Sequence, residues 1–453
     1  DNTGLRHASE ISEEVIPVYA LSTWKRSHHW TGAPRQQFLC ESLESLDGNL
    51  GTIGRRLIIR HGDAIDVLTK LVHETGATAI TFNRDCDPFG RQKEKELEAL
   101  CQKLGVAALG FKDAVMHADS EVLKSDGTPY RVFTPYSKVW KKESKIAPSG
   151  RLRSLSTPSK IDSEDLPTLD HWGIELPPDY RHHTKGGEKA ARKRLKSALG
   201  GIIQNYKETR NTPFGQTTSR LGQDLRHGTL SIREIYAKVI SIQSKTASSS
   251  VRESAETYIS ELAWREFYMQ ILVHFPHVYD EPFNEKYKDL WWSDAELAFE
   301  KWCEGKTGFP IIDAGIRELR ATGFMHNRIR MIVAMFLTKD LHIHWRRGEA
   351  IFMQWLLDGE IASNNGGWQW SAGTGADAAP YFRIQNPWSQ TKRFDPDGEY
   401  IKQWVPELAD CDPKLFRDPP SDSEPIAEGY PMPMVDHSEE RERTLEIFKE
   451  GKA

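Results

Sequence analysis

The first 120 residues alternate between short apolar runs and longer stretches in which apolar residues recur with helical spacing. Four runs rich in β-branched residues are typical of buried strands, at positions 15–21, 56–60, 77–82 and 106–111. Helix-period stretches lie between them, at 34–50, 63–74 and 92–104. Because helices that alternate with short buried strands cover both faces of a parallel sheet, this region predicts an α/β fold with a Rossmann-like parallel sheet.

The pattern changes twice farther along the chain. Residues 121–186 are rich in Pro, Ser, Lys and Asp, which is typical of an inter-domain connection, although Trp140, Trp172 and Leu176 indicate that it packs against a folded surface. Helical periodicity then dominates, at 188–205, 231–244, 251–274, 294–304, 310–321, 328–340, 348–357 and 439–450. We therefore predict an α/β domain at 1–120, a connection at 121–186 and a large all-α domain at 187–453.

Composition narrows the possible classes of function. Charged residues make up 28% of the 453 positions and the formal net charge is −5, so DNA binding would require a local basic face. No apolar stretch approaches the roughly 18 residues that a membrane span needs, and no signal peptide is recognisable. The five cysteines lack paired spacing, which argues against zinc, iron–sulfur clusters and disulfides. We expect a cytoplasmic protein, nuclear in a eukaryote, without membrane partner or metal.

Two helical segments place polar and aromatic residues on one face. Glu261 and Trp264 are three positions apart, and Asn327, Arg330 and Met331 stand at i, i+3 and i+4. An aromatic residue at such a position belongs to the core about as often as to a site. An unpaired buried carboxylate is costly, however, so Glu261 favours a functional surface.

Two further segments suit a flat, phosphorylated ligand. Residues 358–370, DGEIASNNGGWQW, combine two acids with paired Asn, paired Gly and two Trp; Asn and Gly permit tight turns, and Gly lets a ring approach the main chain closely. Residues 217–221, TTSRL, precede a helical pattern at Ser231. Hydroxyl and backbone N–H groups at a helix start bind phosphate oxygens, or simply cap the helix.

Three other motifs have simpler explanations. Residues 373–378, GTGADA, match a dinucleotide fingerprint as a string but lack the strand that should precede it. The histidines at 28–29, 182–183, 342 and 344 lack acidic or Cys partners at ligand spacing, so we interpret them as surface or packing residues. The basic run at 189–196, KAARKRLK, is most often a solvated helix face, and contact with phosphates stays open as the alternative.

Together these segments resemble the photolyase/cryptochrome family, and within it the class I cyclobutane pyrimidine dimer photolyases. The similarity runs from DNTGL at 1–5 to YPMPMVDHSEE at 430–440, and WQWSAGTGADAAPYFRI at 368–384 is its most specific part. The resemblance implies an α/β antenna domain and a helical domain that binds FAD. The family's first strand has no counterpart in these residues and the chain begins at Asp1, so we expect sequence before it.

The resemblance also assigns FAD contacts residue by residue. The pyrophosphate would be lined by Thr218, Ser219 and Leu221, near Tyr206. Asn364 would face the flavin N5, where a neutral amide favours a fully reduced flavin, and Arg330 and Asp358 would form an ion pair beside the ring. Glu360 stands where the family often has Asp, which shifts its contact with the flavin or ribose.

In the family's repair reaction the enzyme flips the dimer out of the duplex into a pocket. By resemblance Trp264 and Trp370 form its stacking walls, Glu261 and Asn327 hydrogen-bond the pyrimidine edges, and Met331 packs against the rings. Negative charge develops on a pyrimidine carbonyl during the reaction, and a placed donor stabilises that charge. Glu261 can donate only when protonated, so we expect its surroundings to raise its pKa.

Candidate residues for electron transfer and DNA binding also follow from the resemblance. Trp368, Trp345 and Trp292 match the family's tryptophan relay, which reduces oxidised flavin from the protein surface. Core packing is the alternative for Trp345 and Trp292. Arg210 and Arg328 are candidate contacts to the phosphates of damaged DNA, which we expect to be the partner of a monomeric protein.

The chain departs from the family pattern at a few positions. Gly222 and His227 replace a usual Ser and aromatic residue, and Phe324 replaces a usual Trp. Residues 87–91, DPFGR, resemble the deazaflavin branch and lack the Asn-Glu pair of the folate branch. An 8-hydroxy-deazaflavin antenna is therefore preferred as second chromophore, with folate, FMN or an empty site left open.

Three rival functions remain to be weighed. A cryptochrome, a blue-light receptor without repair activity, is the main alternative, but a signalling protein need not keep all five lesion-contacting residues. A photolyase for (6-4) lesions would carry His where this chain has Asn327. A dark FAD oxidoreductase does not fit the resemblance. We predict light-driven repair of cyclobutane pyrimidine dimers by electron transfer from reduced FAD.

Overall fold

The structure is a computed structural model that describes residues 1–22, 30–421 and 424–451. The chain divides into two compact units, each built from several segments: Asp1–Pro177, Thr184–Gln204 and Arg220–His274 in the first, and Pro178–His183, Asn205–Ser219 and Phe275–Ala453 in the second. The domain boundaries placed at 120 and 186 stay a prediction. The histidine pair at 28–29 lies outside the described residues.

The first unit contains the four predicted strands: β1 (Val18–Leu21), β2 (Ile58–His61), β3 (Ala79–Asn83) and β4 (Ala107–Phe111). They alternate with helices α2 (Ala33–Gly51), α3 (Ala64–Thr75) and α4 (Pro88–Leu104), so the α/β class is confirmed. β1 pairs in parallel with β2, and β3 with β4, as two separate ladders rather than the one continuous sheet expected.

Local sequence fixes the ends of these helices. Asp63 accepts a hydrogen bond from the backbone N–H of Ile65 at the start of α3. Asp87 accepts one from the backbone N–H of Gly90 at the start of α4. Both helices end at a glycine with left-handed backbone, Gly76 with φ 65° and Gly105 with φ 71°. Helices α3 and α4 thus begin at a capping Asp and end at a glycine.

The rest of the first unit is helical: α1 (Thr3–Ile11), α5 (Phe133–Lys142), α6 (Glu188–Ser197), α8 (Gly222–His227), α9 (Ile232–Lys245) and α10 (Ser249–His274). Trp140 and Trp172 are fully buried, as expected for a packed connection, whereas Leu176 is 38% exposed. On the basic helix α6, Arg192 pairs with Glu234 at 2.8 Å, and Arg194 pairs with Asp224, at 2.6 Å. These ion pairs give part of the basic run a structural role.

The second unit is built from helices: α7 (Tyr206–Thr209), α11 (Glu296–Glu304), α12 (Pro310–Thr322), α13 (Asn327–Met335), α14 (Trp345–Trp355), α15 (Ile361–Ala372), α16 (Pro387–Phe394), α17 (Glu399–Trp404) and α18 (His437–Glu450). A π-helical turn, Phe336–Asp340, extends α13. Its large apolar core includes Trp302, Phe336, Trp345 and Trp368, so the predicted helical class is confirmed. Within the described ranges, no helix is long and apolar enough to cross a bilayer.

Candidate functional site

Residues 358–370, which the hydrophobic pattern did not assign to a helix, form most of helix α15. Glu360 caps its start, because its carboxylate accepts hydrogen bonds from the backbone N–H groups of Ala362 and Ser363 at 2.8 and 2.9 Å. Gly373 ends it with φ 81°, so GTGADA follows a helix rather than a strand. Asn and Gly are poor helix formers, and the sequence pattern missed this helix because capping and buried packing outweigh that propensity.

Asn364 lies one turn into α15, and α14 orients its side chain. Its amide Nδ2 donates to the carbonyl oxygen of Glu349 at 3.0 Å, which leaves Oδ1 as the acceptor of this side chain. The Glu349 carboxyl accepts from Nδ2 of Asn365 at 3.0 Å, and burial raises its pKa to about 8. Sequence reasoning missed Glu349, whose one signal is that it is the sole acid of α14.

The predicted ion pair between Arg330 and Asp358 is present. An Arg330 guanidinium nitrogen lies 2.9 Å from Oδ2 of Asp358, and Nε donates to the carbonyl of Met325 at 2.8 Å. Oδ1 of Asp358 is buried and meets no hydrogen-bond donor among the residues that the structure describes. A buried carboxylate oxygen without a donor is costly, so this atom calls for an N–H group from a ligand.

The surface of α15 near Asn364 is open at Gly367. A side-chain carbon added at Gly367, three positions after Asn364, would meet no atom within 4 Å. Residues three apart share one face of a helix. A flavin carries an imide N–H donor and ring acceptors on a planar system, which fits the oxygen of Asp358, the amide of Asn364 and this open face.

The predicted pyrophosphate contacts stand at the ends of two short helices: Tyr206 at the start of α7, Thr218 and Ser219 in the following coil, and Leu221 directly before α8. Arg220 has a left-handed backbone with φ 49°, which is uncommon for a residue with a side chain. Strained backbone of this kind concentrates at ligand-binding turns. The roles of these four residues stay a prediction.

In the first unit, Glu261 and Trp264 lie half-buried on α10. The indole of Trp264 stacks on Phe133 of α5, with ring centroids 3.6 Å apart and planes 8° from parallel. Phe133 therefore supports one face of the indole and fixes its orientation. Arg265, four positions after Glu261, donates to the carbonyl of Ala114 at 2.6 Å.

The fully buried acid of α10 is Glu266, five residues after Glu261. Its carboxylate accepts from the backbone N–H groups of Met116 and His117 and, at 2.6 Å, from Nε1 of Trp140. Burial raises its pKa, and these donors oppose the shift. Glu266 ties α10 to α5 and to the chain after β4, which is a structural role that sequence reasoning did not identify.

In the second unit, Asn327 and Met331 occupy adjacent turns of α13. Asn327 is exposed, and its Nδ2 lies 3.9 Å from the sulfur of Met331. Nδ1 of His326 accepts from the backbone N–H of Arg328 at 3.1 Å and so caps the helix. Trp370 lies half-buried on α15. The spacing argument that placed Asn327 and Met331 on one face is thus confirmed, while their contact with DNA stays a prediction.

Three arginines of the second unit form a basic cluster. Burial, together with the nearby charges of Arg210 and Arg393, lowers the pKa of Arg328. Arg328 donates to Oδ1 of Asn211 at 2.7 Å, and both Arg328 and Arg393 lie over the ring of Phe394. Like charges held together are unfavourable, so the cluster is suited to an anion such as phosphate. Arg393 was missed, although its neighbour Lys392 makes a basic pair visible in the sequence.

The candidate relay tryptophans of the second unit differ in burial. Trp368 and Trp345 are almost fully buried, and Trp292 is half-buried. Trp368 packs directly on α14 at Gly348, where an added Cβ would lie 2.0 Å from the indole. In the described part of the chain, the buried Nε1 of Trp368 has no hydrogen-bond partner. The relay roles of the three tryptophans stay a prediction.

The predicted antenna segment begins a helix. Residues 87–91 cover the capping Asp87 and the first turn of α4, and the ring of Phe89 is 46% exposed. The choice of chromophore stays a prediction.

Comparison with known proteins identifies the family. Residues 1–157 match the sequence model of DNA photolyase, and residues 258–450 match that of the FAD binding domain of DNA photolyase. A curated relative from Synechococcus sp., named deoxyribodipyrimidine photo-lyase, is 36% identical over all of this chain and 94% of its own length. The chain belongs to the DNA photolyase family.

Solved structures agree with this assignment. A bacterial class III photolyase from Agrobacterium tumefaciens is 35% identical, with a TM-score of 0.91 that covers 100% of this chain and 95% of the other. A cryptochrome from Synechocystis sp. is 28% identical, with a TM-score of 0.89 that covers 98% of this chain and 95% of the other. The fold is therefore shared with repair enzymes and with a cryptochrome, and the choice between these functions depends on the site residues.

Proposed function

We propose that this protein is a deoxyribodipyrimidine photolyase, which uses light and reduced FAD to split cyclobutane pyrimidine dimers in DNA. The observation that carries the proposal is end-to-end similarity to a relative of that name. The chain also has the five residues to which the resemblance assigns contact with the lesion. The fit of Asn364 and Asp358 to a flavin ring supports it.

FAD bound in its fully reduced form would supply a light-excited electron donor. The protein's part is to hold the ring: Oδ1 of Asn364 accepts a hydrogen bond, and Asp358 accepts one at its orphaned oxygen while Arg330 balances its charge. A neutral amide places no negative charge beside an anionic ring, so it favours the reduced state. The resemblance adds the remaining contacts: Tyr206, Thr218, Ser219, Leu221 and Glu360.

The proposed lesion contacts divide by chemistry. Trp264, whose orientation Phe133 fixes, and Trp370 present indole faces on which pyrimidines stack. Glu261 and Asn327 hydrogen-bond the pyrimidine edges. Negative charge develops on a pyrimidine carbonyl in the reaction, and a hydrogen-bond donor that is already in place stabilises it. Protonated Glu261 is the proposed donor.

The sulfur-bearing side chain of Met331 completes the apolar contact to the dimer, next to Asn327 on α13. The arginine cluster, defined as Arg210, Arg328 and Arg393, binds the phosphates of the damaged strand, which compensates for the negative net charge of the protein. We further propose a monomer with a second chromophore, of which 8-hydroxy-deazaflavin is preferred over folate or FMN.

The repair reaction is tested with a dimer-containing oligonucleotide and chemically reduced protein, illuminated with blue light or kept in the dark. We expect the dimer to disappear only under light. Equal residual dimer in the two samples would contradict repair and favour a cryptochrome-type receptor. The cryptochrome from Synechocystis sp. shares this fold.

Variants of Glu261 test its assignment as the donor. Glu261→Ala should lower the repair yield per absorbed photon severalfold, and Glu261→Gln should lose less because its amide also donates. Glu253→Ala, at an exposed position of the same helix, is the matched control. A normal yield in Glu261→Ala, measured with a normal melting temperature, would remove this residue from the mechanism.

A further inference from the structure

Between two of the candidate relay tryptophans lies a histidine with no assigned role. The ring centroid of His344 is 4.9 Å from that of Trp292 and 5.4 Å from that of Trp345. The planes are inclined by 56° and 31°, so the imidazole makes contact with both indoles. Trp292 comes from the chain before α11, and His344 and Trp345 from the start of α14. The imidazole therefore connects two elements of the second unit through one ring.

The backbone fixes this imidazole. His344 is the N-cap of α14, and its Nδ1 accepts a hydrogen bond from the backbone N–H of Arg346 at 3.1 Å. This bond determines the tautomer, because a neutral imidazole that accepts at Nδ1 carries its proton at Nε2. The capping bond also restrains the ring, so its position relative to Trp345 follows from the helix itself.

The imidazole is neutral under physiological conditions. Burial, reinforced by the charge of Arg346, lowers the pKa of His344 to about 4. The neighbouring charges are paired: Arg346 lies 2.7 Å from Asp280, and Arg347 lies 2.7 Å from Glu296. A positive charge beside an indole that must itself become positive would oppose electron removal, and a neutral ring avoids that repulsion.

We propose that His344 is a positioning residue of the outer relay, which holds Trp292 and Trp345 in place as an uncharged aromatic bridge between them. The inference rests on the proposed function and on the electron-transfer relay that the family resemblance assigns to Trp368, Trp345 and Trp292. In this step one electron passes from Trp292 to the oxidised Trp345, which restores Trp345 and leaves the positive charge on Trp292. A thiol in solution then returns one electron to Trp292.

The test compares three substitutions in the FAD-loaded protein. His344→Asn keeps an N-cap of equal quality but removes the ring. His344→Phe keeps an aromatic ring but loses the cap, and His344→Ala loses both. The first measurement is the rate at which blue light reduces oxidised flavin in the presence of a thiol, with Trp292→Phe as the reference for an interrupted relay. Near-ultraviolet circular dichroism and thermal unfolding follow tryptophan packing and the cap without any photochemistry.

We expect His344→Asn to slow photoreduction severalfold and to change the tryptophan dichroism at an unchanged melting temperature. His344→Phe should show the opposite pattern, a lower melting temperature with photoreduction close to that of the parent protein. In the parent protein the photoreduction rate should be flat from about pH 6 to pH 8, because the imidazole does not titrate there. These outcomes distinguish the effect of the aromatic ring on photoreduction from the effect of the N-cap on stability.

Unchanged photoreduction in His344→Asn, or in Trp292→Phe, would overturn the inference. Repair by dithionite-reduced protein does not require the relay, so it should be normal in every His344 variant. Absence of repair in the reduced parent protein would contradict the proposed function alone, since photoreduction and dichroism still report on His344.

Discussion

Helices α10 and α15 both carry candidate lesion contacts, but their sequences specify helix in different ways. α10 has 26 residues, and its sequence SELAWREFYMQIL is rich in residues that favour helix. α15 has 12 residues and contains the run SNNGG, which disfavours helix. α15 is therefore imposed by its cap and its neighbours, whereas α10 follows from its own residues. The comparison predicts that changes around α15 act through packing and capping, and changes in α10 through its one buried acid.

The largest effect is expected for Glu266→Ala in α10. The substitution leaves the N–H groups of Met116, His117 and Trp140 buried without their acceptor. Each orphaned buried donor costs about 1–3 kcal/mol, so the free energy of unfolding should fall by roughly 3 kcal/mol or more. Denaturant unfolding of the purified protein measures the loss.

Two matched variants sharpen this prediction. Glu266→Gln retains one acceptor oxygen and should lose less stability than the alanine variant. Glu261→Ala, at a half-buried position five residues earlier, should leave the unfolding midpoint nearly unchanged. A small effect of Glu266→Ala would mean that the three donors find other acceptors, and it would contradict the prediction that changes in α10 act through this buried acid.

The second effect concerns Gly348 of α14, on which Trp368 of α15 rests. Alanine in a helix interior normally stabilises by about 0.5–1 kcal/mol relative to glycine. At Gly348 its Cβ would lie 2.0 Å from the indole, so we expect overpacking to reverse the sign and cost about 1–3 kcal/mol. Thermal unfolding measures the loss, and the rate of flavin photoreduction reports whether Trp368 has moved.

Gly367→Ala is the control on α15 itself. An added Cβ meets no protein atom within 4 Å there, so the protein without FAD should gain up to about 1 kcal/mol. The same carbon would occupy the open face that we assign to the flavin, so FAD affinity should fall. A stabilising Gly348→Ala substitution would show that α15 tolerates movement at its contact with α14.

The sequence predicted those parts of the structure that depend on local periodicity. The four strands, α10, and the one-sided spacing of Asn327 and Met331 follow from local pattern. The pairing of Arg330 with Asp358 came from resemblance to a family, since the two residues are 28 positions apart.

Other features depend on contacts that no local pattern encodes. Glu349 orients Asn364 from another helix, and Phe133 supports Trp264 from a segment that the sequence described as a connection. The helix at 361–372 was missed because propensity there opposes the tertiary structure. Long-range packing thus decided the features that sequence reasoning left out.

The smallest effect is expected at the start of α15. Glu360 accepts from the backbone N–H groups of Ala362 and Ser363, so Glu360→Ala should lower stability by about 1 kcal/mol, the usual cost of losing an N-cap. Glu360→Asp, which keeps a capping carboxylate, should restore most of it, and Thr444→Ala, buried in α18, calibrates the loss of a different buried contact. If packing against α14 contributes more than the cap, far-ultraviolet circular dichroism should show Glu360→Ala with undiminished helix content despite the lower melting temperature. A loss of about one helix turn in that spectrum would mean that the cap itself, rather than packing against α14, is what makes SNNGG helical.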